Sequence, residues 1–335
     1  MAGNPEQTLP VVDVRRVSGS PIVPCGAVEG YGPIFNAGAV FHDGRFHLFA
    51  RGVRDAYRRN PGSGARFLDY VSDILVFTSE DGLEFAFQQV LAKATPTGTY
   101  AYEDPRVHLV RSDGAEHFVM SYTNLPPPET HEFWRIGVHL LAYADGRFSL
   151  NPDSGRVVGP PGEPDKDGIV FNLADGRIAL IHRIYPNMQL AVFDSLAELL
   201  DPPEGYWERH MAELDRHTII RPGDKVLGVG GGAPPVVTGD GLLLLFHERN
   251  AREVYSTRAA LLDHETGQVT AILGPPVMSP ELEWERRGDV NNVVFVQGAI
   301  PREDGSIYMT YGAADRAVGA ATVSTDELLR ALRAA

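Results

Sequence analysis

Six short polar groups interrupt apolar or Gly/Pro-rich stretches of this 335-residue chain. Tyr102-Glu103-Asp104-Pro105-Arg106 sets two carboxylates and a cation around a proline. Asp165-Lys166-Asp167 precedes Gly168 and the β-prone run 169–171, His182-Arg183 ends the run 178–181, and His247-Glu248 ends the run 242–246. Asn291-Asn292 enters the run 293–296, and Tyr311-Gly-Ala-Ala-Asp315 closes another. Carboxylates that carry protons, beside cations that hold an anion, suit acid–base work on an anionic small substrate, provided the groups converge. The bland alternative is that Asp, Asn and Arg beside Pro and Gly satisfy turn backbones, which is an equally good account of any one group. The same habit at six places weakens it for the set.

Other chemistries lack their residues. Gly228-Val-Gly-Gly-Gly-Ala233 resembles a dinucleotide fingerprint, but Pro234-Pro235 stands where its helix would begin. There is no phosphate-binding GKS or GKT loop, no Gly-x-Ser-x-Gly elbow and no HExxH; His131-Glu132 lacks a second His, and Cys25, the one cysteine, has no nearby metal partner. No metal site and no organic cofactor are expected. Cys25 alone excludes a disulfide scaffold, and one unpaired thiol either fits a reducing compartment or is uninformative about it. No apolar run approaches the roughly 18 residues of a membrane span, and residues 1–10 have neither a basic nor an apolar leader region. A soluble, cytoplasmic protein with no membrane partner is expected. A net charge of −14 without a basic stripe argues against nucleic acid, because phosphate neutralisation needs clustered Lys and Arg.

The elements that must bring these groups together announce themselves through turns. Asp-Gly pairs begin at Asp43, Asp81, Asp113, Asp145, Asp175, Asp240 and Asp304, each beside β-prone runs such as 39–41 with 46–50, or 74–77 with 85–87. Asp-Gly favours two-residue hairpins because both central positions of a type I′ turn need φ > 0. The pairs recur at about 32 residues or twice that, and a doubled interval divides the chain into about five units, each the length of a four-stranded propeller blade. Helical signals are confined to 195–200 and the C-terminus, where Ser324-Thr325-Asp326-Glu327 offers a capping box before Leu328, Leu329 and Leu332. The expected fold is all-β, a five-bladed β-propeller with a short C-terminal helix, against a β-sandwich or two β-domains. One domain is expected over 1–335, with the propeller over about 20–323 and the helix over 324–335.

The same motifs, in order, resemble a known family. Phe35-Asn36-Ala-Gly-Ala39, Glu103-Asp104-Pro105-Arg106, Asp165-Lys166-Asp167, His182-Arg183, Gly232-Ala-Pro-Pro235 with Thr238 and His247, Leu261-Leu262-Asp263, Asn292-Val-Val-Phe295 with Gly298, and Tyr311-Gly-Ala-Ala-Asp315 are similar to those of glycoside hydrolase family 130, the mannoside phosphorylases and related β-mannosidases. The resemblance runs from about Pro21 to the C-terminal helix. It implies a five-bladed propeller, in agreement with the turn spacing.

Inverting hydrolysis needs an acid and a base, whereas phosphorolysis uses an anionic nucleophile, so one acid and a cluster of cations suffice. The resemblance implies that Asp104 is the general acid, with its proton relayed in some members through the 3-hydroxyl of mannose. Burial beside Glu103 or Asp315 would raise its pKa for that role. It further implies Lys166, Arg183, His247 and Tyr255 as phosphate ligands, with Lys225 a weaker match, and Asn36, Arg51, Glu103, Asp104, Asp167 and Asp315 around the mannosyl unit. Three features depart from the pattern. Lys225 lies in a glycine run about three residues longer than usual, Leu242 replaces a Trp, and Phe246 replaces the Tyr before the strand-end His. The segment 54–69 reads as a rim loop whose Arg58, Arg59 and Arg66 are expected to be solvated.

The expected activity is therefore that of an inverting β-mannoside phosphorylase, a hexosyltransferase. It would use phosphate as co-substrate on a β-linked mannosyl di- or oligosaccharide and yield α-mannose 1-phosphate. Its rivals are a phosphate-independent β-mannosidase and a non-catalytic sugar-binding propeller, the latter prompted by an Asp-box-like Ser79-Glu-Asp-Gly82. Linkage and acceptor are not legible, and a homo-oligomer packed through the C-terminal helix stays open.

Overall fold

A computed structural model describes residues 12–62 and 66–335; residues 1–10, read above for a leader, and 63–65 of the rim loop lie outside them. Five antiparallel sheets, each built mainly from strands consecutive in sequence, form a five-bladed propeller. The innermost strands are Tyr31–His42, Ala101–Ser112, Lys166–Asn172, Val226–Gly231 and Val294–Pro301, numbered here as blades one to five. Blade five takes its outer strand from the other end of the chain: Val14–Arg16 pairs with Ala317–Ser324, Val14 opposite Val323. This closes the ring.

The periodicity of Asp-Gly now has a structural cause. Asp43, Asp113, Asp175, Asp240 and Asp304 each stand between the innermost strands and the second strand of successive blades, while Asp81 and Asp145 join the third and fourth strands of blades one and two. All seven turns therefore occupy one end of the propeller. Only three have the two positive φ angles of a type I′ turn: Asp43-Gly44, Asp113-Gly114 and Asp145-Gly146. At Asp81, Asp175 and Asp304 the aspartate keeps a negative φ, and its carboxylate caps the turn by accepting from backbone N–H groups.

Apolar side chains pack between blades. Val110, Val119 and Ile136 of blade two meet Val170, Leu180 and Ala191 of blade three. The short helix Leu196–Leu200 forms with Ser195 as its N-cap, followed by Tyr206–Ala212 and Leu214–His217, whose polar sequences gave no helical signal. The C-terminal helix Thr325–Arg333 is capped by Ser324, which accepts from Glu327 N, and buries Leu328, Leu329 and Leu332.

One irregularity positions the site. The innermost strands of blades one, two and three are interrupted by bulges within Phe35/Gly38, Glu103/Arg106 and Lys166/Ile169. At each bulge one residue is left-handed: Asn36 (φ 46°), Asp104 (φ 51°) and Asp167 (φ 58°). Asn and Asp tolerate this conformation better than other side-chain-bearing residues, and a bulge re-aims the side chain it carries. The strand expected from Ile169 thus begins at Lys166, and its first residues lie in the bulge.

Candidate active site

The three bulged residues meet near the axis, at the end opposite the Asp-Gly turns. Asn36 Nδ2 donates to Asp104 Oδ1 at 2.7 Å, and Arg51 Nη1, at the end of the second strand of blade one, lies 3.5 Å from the same oxygen. Arg51 also pairs with Glu103. A cavity of about 680 Å³ is lined by Asn36, Arg51, Glu103, Asp104, Lys166, Tyr255 and Asp315 among others. Beyond Asp104 a smaller cavity, about 170 Å³, is lined by Lys166, Asp167, Arg183, His247, Arg249 and Tyr255. Asp104, Lys166, Arg249 and Tyr255 border both. A third space, about 640 Å³, adjoins the first through Arg51, Arg66, Glu103 and Asp315 and has a more apolar wall that includes Tyr100, Pro126, Pro127, Pro128 and Trp134.

Burial and charge set the protonation states. Burial pushes Asp315 up to about 7; Arg51 opposes the shift, and Asp104, Glu103 and Asp289 add to it. Glu103 is likewise raised by burial against the pull of Arg51. Burial on the acidic side of the site thus favours the protonated forms of Asp315 and Glu103. On the other side burial acts on Asp167 in the same sense, but the cations Arg183, Lys166 and Arg106 hold its carboxyl well below the usual range. Arg183 Nη1 is 3.0 Å and His247 Nε2 is 3.7 Å from Asp167 Oδ2. Burial lowers His247 to about 3, so the imidazole is neutral.

Several buried polar atoms here have no protein partner: Asn36 Oδ1, Arg51 Nε, Tyr70 Oη, Arg183 Nε and His247 Nδ1. Buried polar groups are normally satisfied, so their concentration marks a place built to bind a polar ligand. Close packing supports the same place. A Cβ on Gly230 would stand 2.3 Å from Asp167 Oδ2 and 2.4 Å from His247 Cε1, so only glycine lets that strand pass.

Ten of the eleven residues named from the sequence line one or both polar cavities. Lys225 does not: it is exposed at the edge of blade four and borders neither. Arg106 belongs to the frame. Fully buried, it donates to the carbonyls of Asp104, Gly231 and Gly232 and so ties blade two to blade four. Tyr311 donates to Glu285 Oε1 at 2.8 Å, away from the cavities. The rim-loop arginines Arg58, Arg59 and Arg66 are exposed as expected, yet each also lines a cavity mouth.

Sequence reasoning missed Arg249 and Tyr70. Arg249 follows His247 by two and so extends from the same strand end; that alternation was the available signal. Tyr70 stands under the Arg51 guanidinium, 5.3 Å from ring centroid to Cζ, a contact between distant segments that no motif reveals.

Residues 7–334 match the model of a family described as beta-1,4-mannooligosaccharide phosphorylase. The chain is 28% identical over 330 residues to a 1,2-beta-oligomannan phosphorylase of Thermoanaerobacter sp. (strain X514), covering 95% of this chain and 99% of the relative. It is 30% identical over 305 residues to a beta-1,2-mannobiose phosphorylase of the same organism, covering 88% and 91%. Its fold is similar to that of a beta-1,2-mannobiose phosphorylase from Listeria innocua in complex with beta-1,2-mannobiose, with TM-score 0.73, 21% identity and coverage of 96% and 100%.

Proposed function

The chain belongs to glycoside hydrolase family 130, and from that membership we propose that it is an inverting β-mannoside phosphorylase acting on β-1,2-linked mannosyl di- and oligosaccharides. The observation that carries the reading is the small cavity beyond Asp104. Three cations, Lys166, Arg183 and Arg249, face one ionised carboxylate, Asp167. Apart from Asp104, the proposed acid, the formal charges on the cavity wall sum to three less one, +2, which complements a phosphate dianion. Arginine offers paired donors to phosphate oxygens, and neutral His247 and Tyr255 add hydrogen-bonding capacity.

The reaction follows from this order of groups. The mannosyl unit occupies the larger polar cavity between Asn36, Arg51 and Asp315. Both close contacts of Asp104 fall on Oδ1, leaving Oδ2 for the substrate. Asp104 delivers its proton to the departing glycosidic oxygen, directly or through a mannose hydroxyl. Phosphate attacks C1 from the opposite face, the C1–O bond breaks with its electron pair leaving on the protonated acceptor, and α-mannose 1-phosphate forms with inversion. No base is needed, because phosphate enters already ionised. Phosphate is a co-substrate, and the reading includes no metal or organic cofactor.

The two relatives named for 1,2-linked mannosides favour that linkage. The adjoining apolar-walled space has room for more than one acceptor sugar. The reducing cytoplasm suits the unpaired Cys25. The test is incubation with β-1,2-mannobiose, β-1,4-mannobiose and β-1,4-mannosyl-glucose, with and without phosphate. Mannose 1-phosphate should form only with phosphate, fastest from the 1,2-linked substrate. Mannose release at equal rate without phosphate would make the protein a mannosidase.

A further inference from the structure

Behind the basic cavity, three buried side chains that touch neither polar cavity form a line. Asp165 is fully buried; its Oδ1 accepts from Arg183 N at 3.0 Å and its Oδ2 faces His182 Nδ1 at 3.0 Å. His182 Nε2 lies 3.0 Å from His210 Nε2, and His210 comes from the helix Tyr206–Ala212 on the outside of blade three. His182 is fully buried and His210 nearly so.

Every facing pair along this line is satisfied when His182 donates from Nδ1 to the Asp165 carboxylate and His210 donates from Nε2 to His182 Nε2. His210 Nδ1 then accepts, and it has no protein partner. Burial, with His182 and His217 adding to it, lowers His210 to about 3, in keeping with a neutral ring. A buried Asp–His pair can serve a nucleophile, but no nucleophilic side chain adjoins this one, and the line ends on a backbone N–H.

Its position gives it another task. Asp165 immediately precedes Lys166 and Asp167; His182 immediately precedes Arg183; and Lys166 pairs with Arg183 across the two strands just before the bulge. The Asp165 carboxylate thus ties together the two segments that present the cations of the basic cavity. Gln189, also fully buried, holds the far side: its Oε1 accepts from Ile184 N at 2.8 Å and its Nε2 donates to Ile184 O at 3.2 Å. The backbone is therefore held at Arg183 by Asp165 and at the next residue, Ile184, by Gln189.

We infer that Asp165, His182 and His210 are positioning residues for the phosphate nucleophile, setting the spacing of Lys166, Asp167 and Arg183 and hence phosphate affinity, while leaving the mannosyl side unaffected; this rests on the phosphorylase reading of the basic cavity. The mannosyl contacts of Asn36, Arg51 and Asp315 come from blades one and five, outside this bracing.

The experiment measures phosphate binding by calorimetry, and KM for phosphate and for β-1,2-mannobiose separately, in the full-length protein and four variants. His182→Leu removes the line. His182→Asn keeps an N–H donor where Nδ1 stands. His210→Phe keeps ring volume but removes the outer donor, whereas His210→Gln retains an N–H near the Nε2 position. Misplacing a reacting partner by ~1 Å can cost about a hundredfold. His182→Leu should accordingly weaken phosphate binding and raise its KM by about ten- to a hundredfold, with the mannoside KM within about twofold. His210→Phe should shift phosphate the same way by a few-fold, and the Asn and Gln variants should restore most of the loss. Equal changes in both KM values, or unchanged phosphate affinity in His210→Phe, would overturn the assignment, and the latter serves even if His182→Leu does not fold. Wild-type protein that neither binds nor uses phosphate would instead sink the phosphorylase reading itself.

Discussion

Asn36 Nδ2 donates to Asp104 Oδ1 across the boundary between two blades, and both residues are left-handed at a bulge in the innermost strand of their blade. The pair joins a cavity-lining amide to the proposed acid without any local sequence link between them. Each backbone irregularity costs stability, and both are held by the surrounding sheet. The acid is thereby aimed by two strands rather than by a flexible loop.

Asp104→Asn should lower kcat for phosphorolysis of β-1,2-mannobiose by about 10²- to 10⁴-fold, the usual contribution of a general acid. A β-mannoside with a good phenolic leaving group should lose much less, because its oxygen departs without protonation. Steady-state kinetics on both substrates distinguish this from a folding defect, which would reduce the two alike.

Arg249→Ala should raise KM for phosphate by about ten- to a hundredfold, as expected for loss of a charge-assisted hydrogen bond of ~1.5–3 kcal/mol, with the mannoside KM little changed. Lys225→Ala should change neither by more than about twofold, as for an exposed side chain remote from the site. The two variants, assayed together, decide which residue supplies the third cation.

Asp167→Asn leaves Arg183 and Arg106 without their shared buried counter-charge. A loss of about 3–5 kcal/mol is expected, as for other broken buried pairs, read from urea unfolding at pH 7. Because the folded pKa lies below the unfolded value, the wild-type carboxylate stabilises the fold above ~3.9, and this contribution fades as pH falls through the folded value. The difference between the two proteins should narrow in strong acid.

Asp315 titrates in the opposite sense. Its folded pKa, about 7, lies above the unfolded ~3.9, so the native state binds the extra proton between these values, and its contribution to stability falls as pH rises across that window. Asp315→Asn should therefore gain stability relative to wild type between pH 5 and 8, measured by thermal unfolding. A constant difference over that range would show that Asp315 is already ionised at its lower end.

Much of this protein is legible in one dimension. The Asp-Gly turns declare the blades because each hairpin is local, and the spacing between inner turns is the length of chain needed for one four-stranded sheet. The short helix at 195–200 and the capped C-terminal helix follow from Ser195 and Ser324 for the same reason. Short polar motifs likewise singled out Asp104, Asp167 and Arg183, and the resemblance to the family added Asn36. What the chain could not disclose alone was distance. Arg249 and Lys225 are both cations of blade four, yet only the strand-end one reaches the cavity. Arg106 sits in the same motif as Asp104 but holds carbonyls of another blade. Tyr70 and the Asp165–His182–His210 line join segments far apart in sequence. Sequence by itself determined the repeat, the turns and the residue types, because these depend on backbone preferences over a few positions. Only the closed ring decided which side chains face the axis, because the bulges, the blade contacts and the burial that shifts each charge exist only once all five sheets have packed.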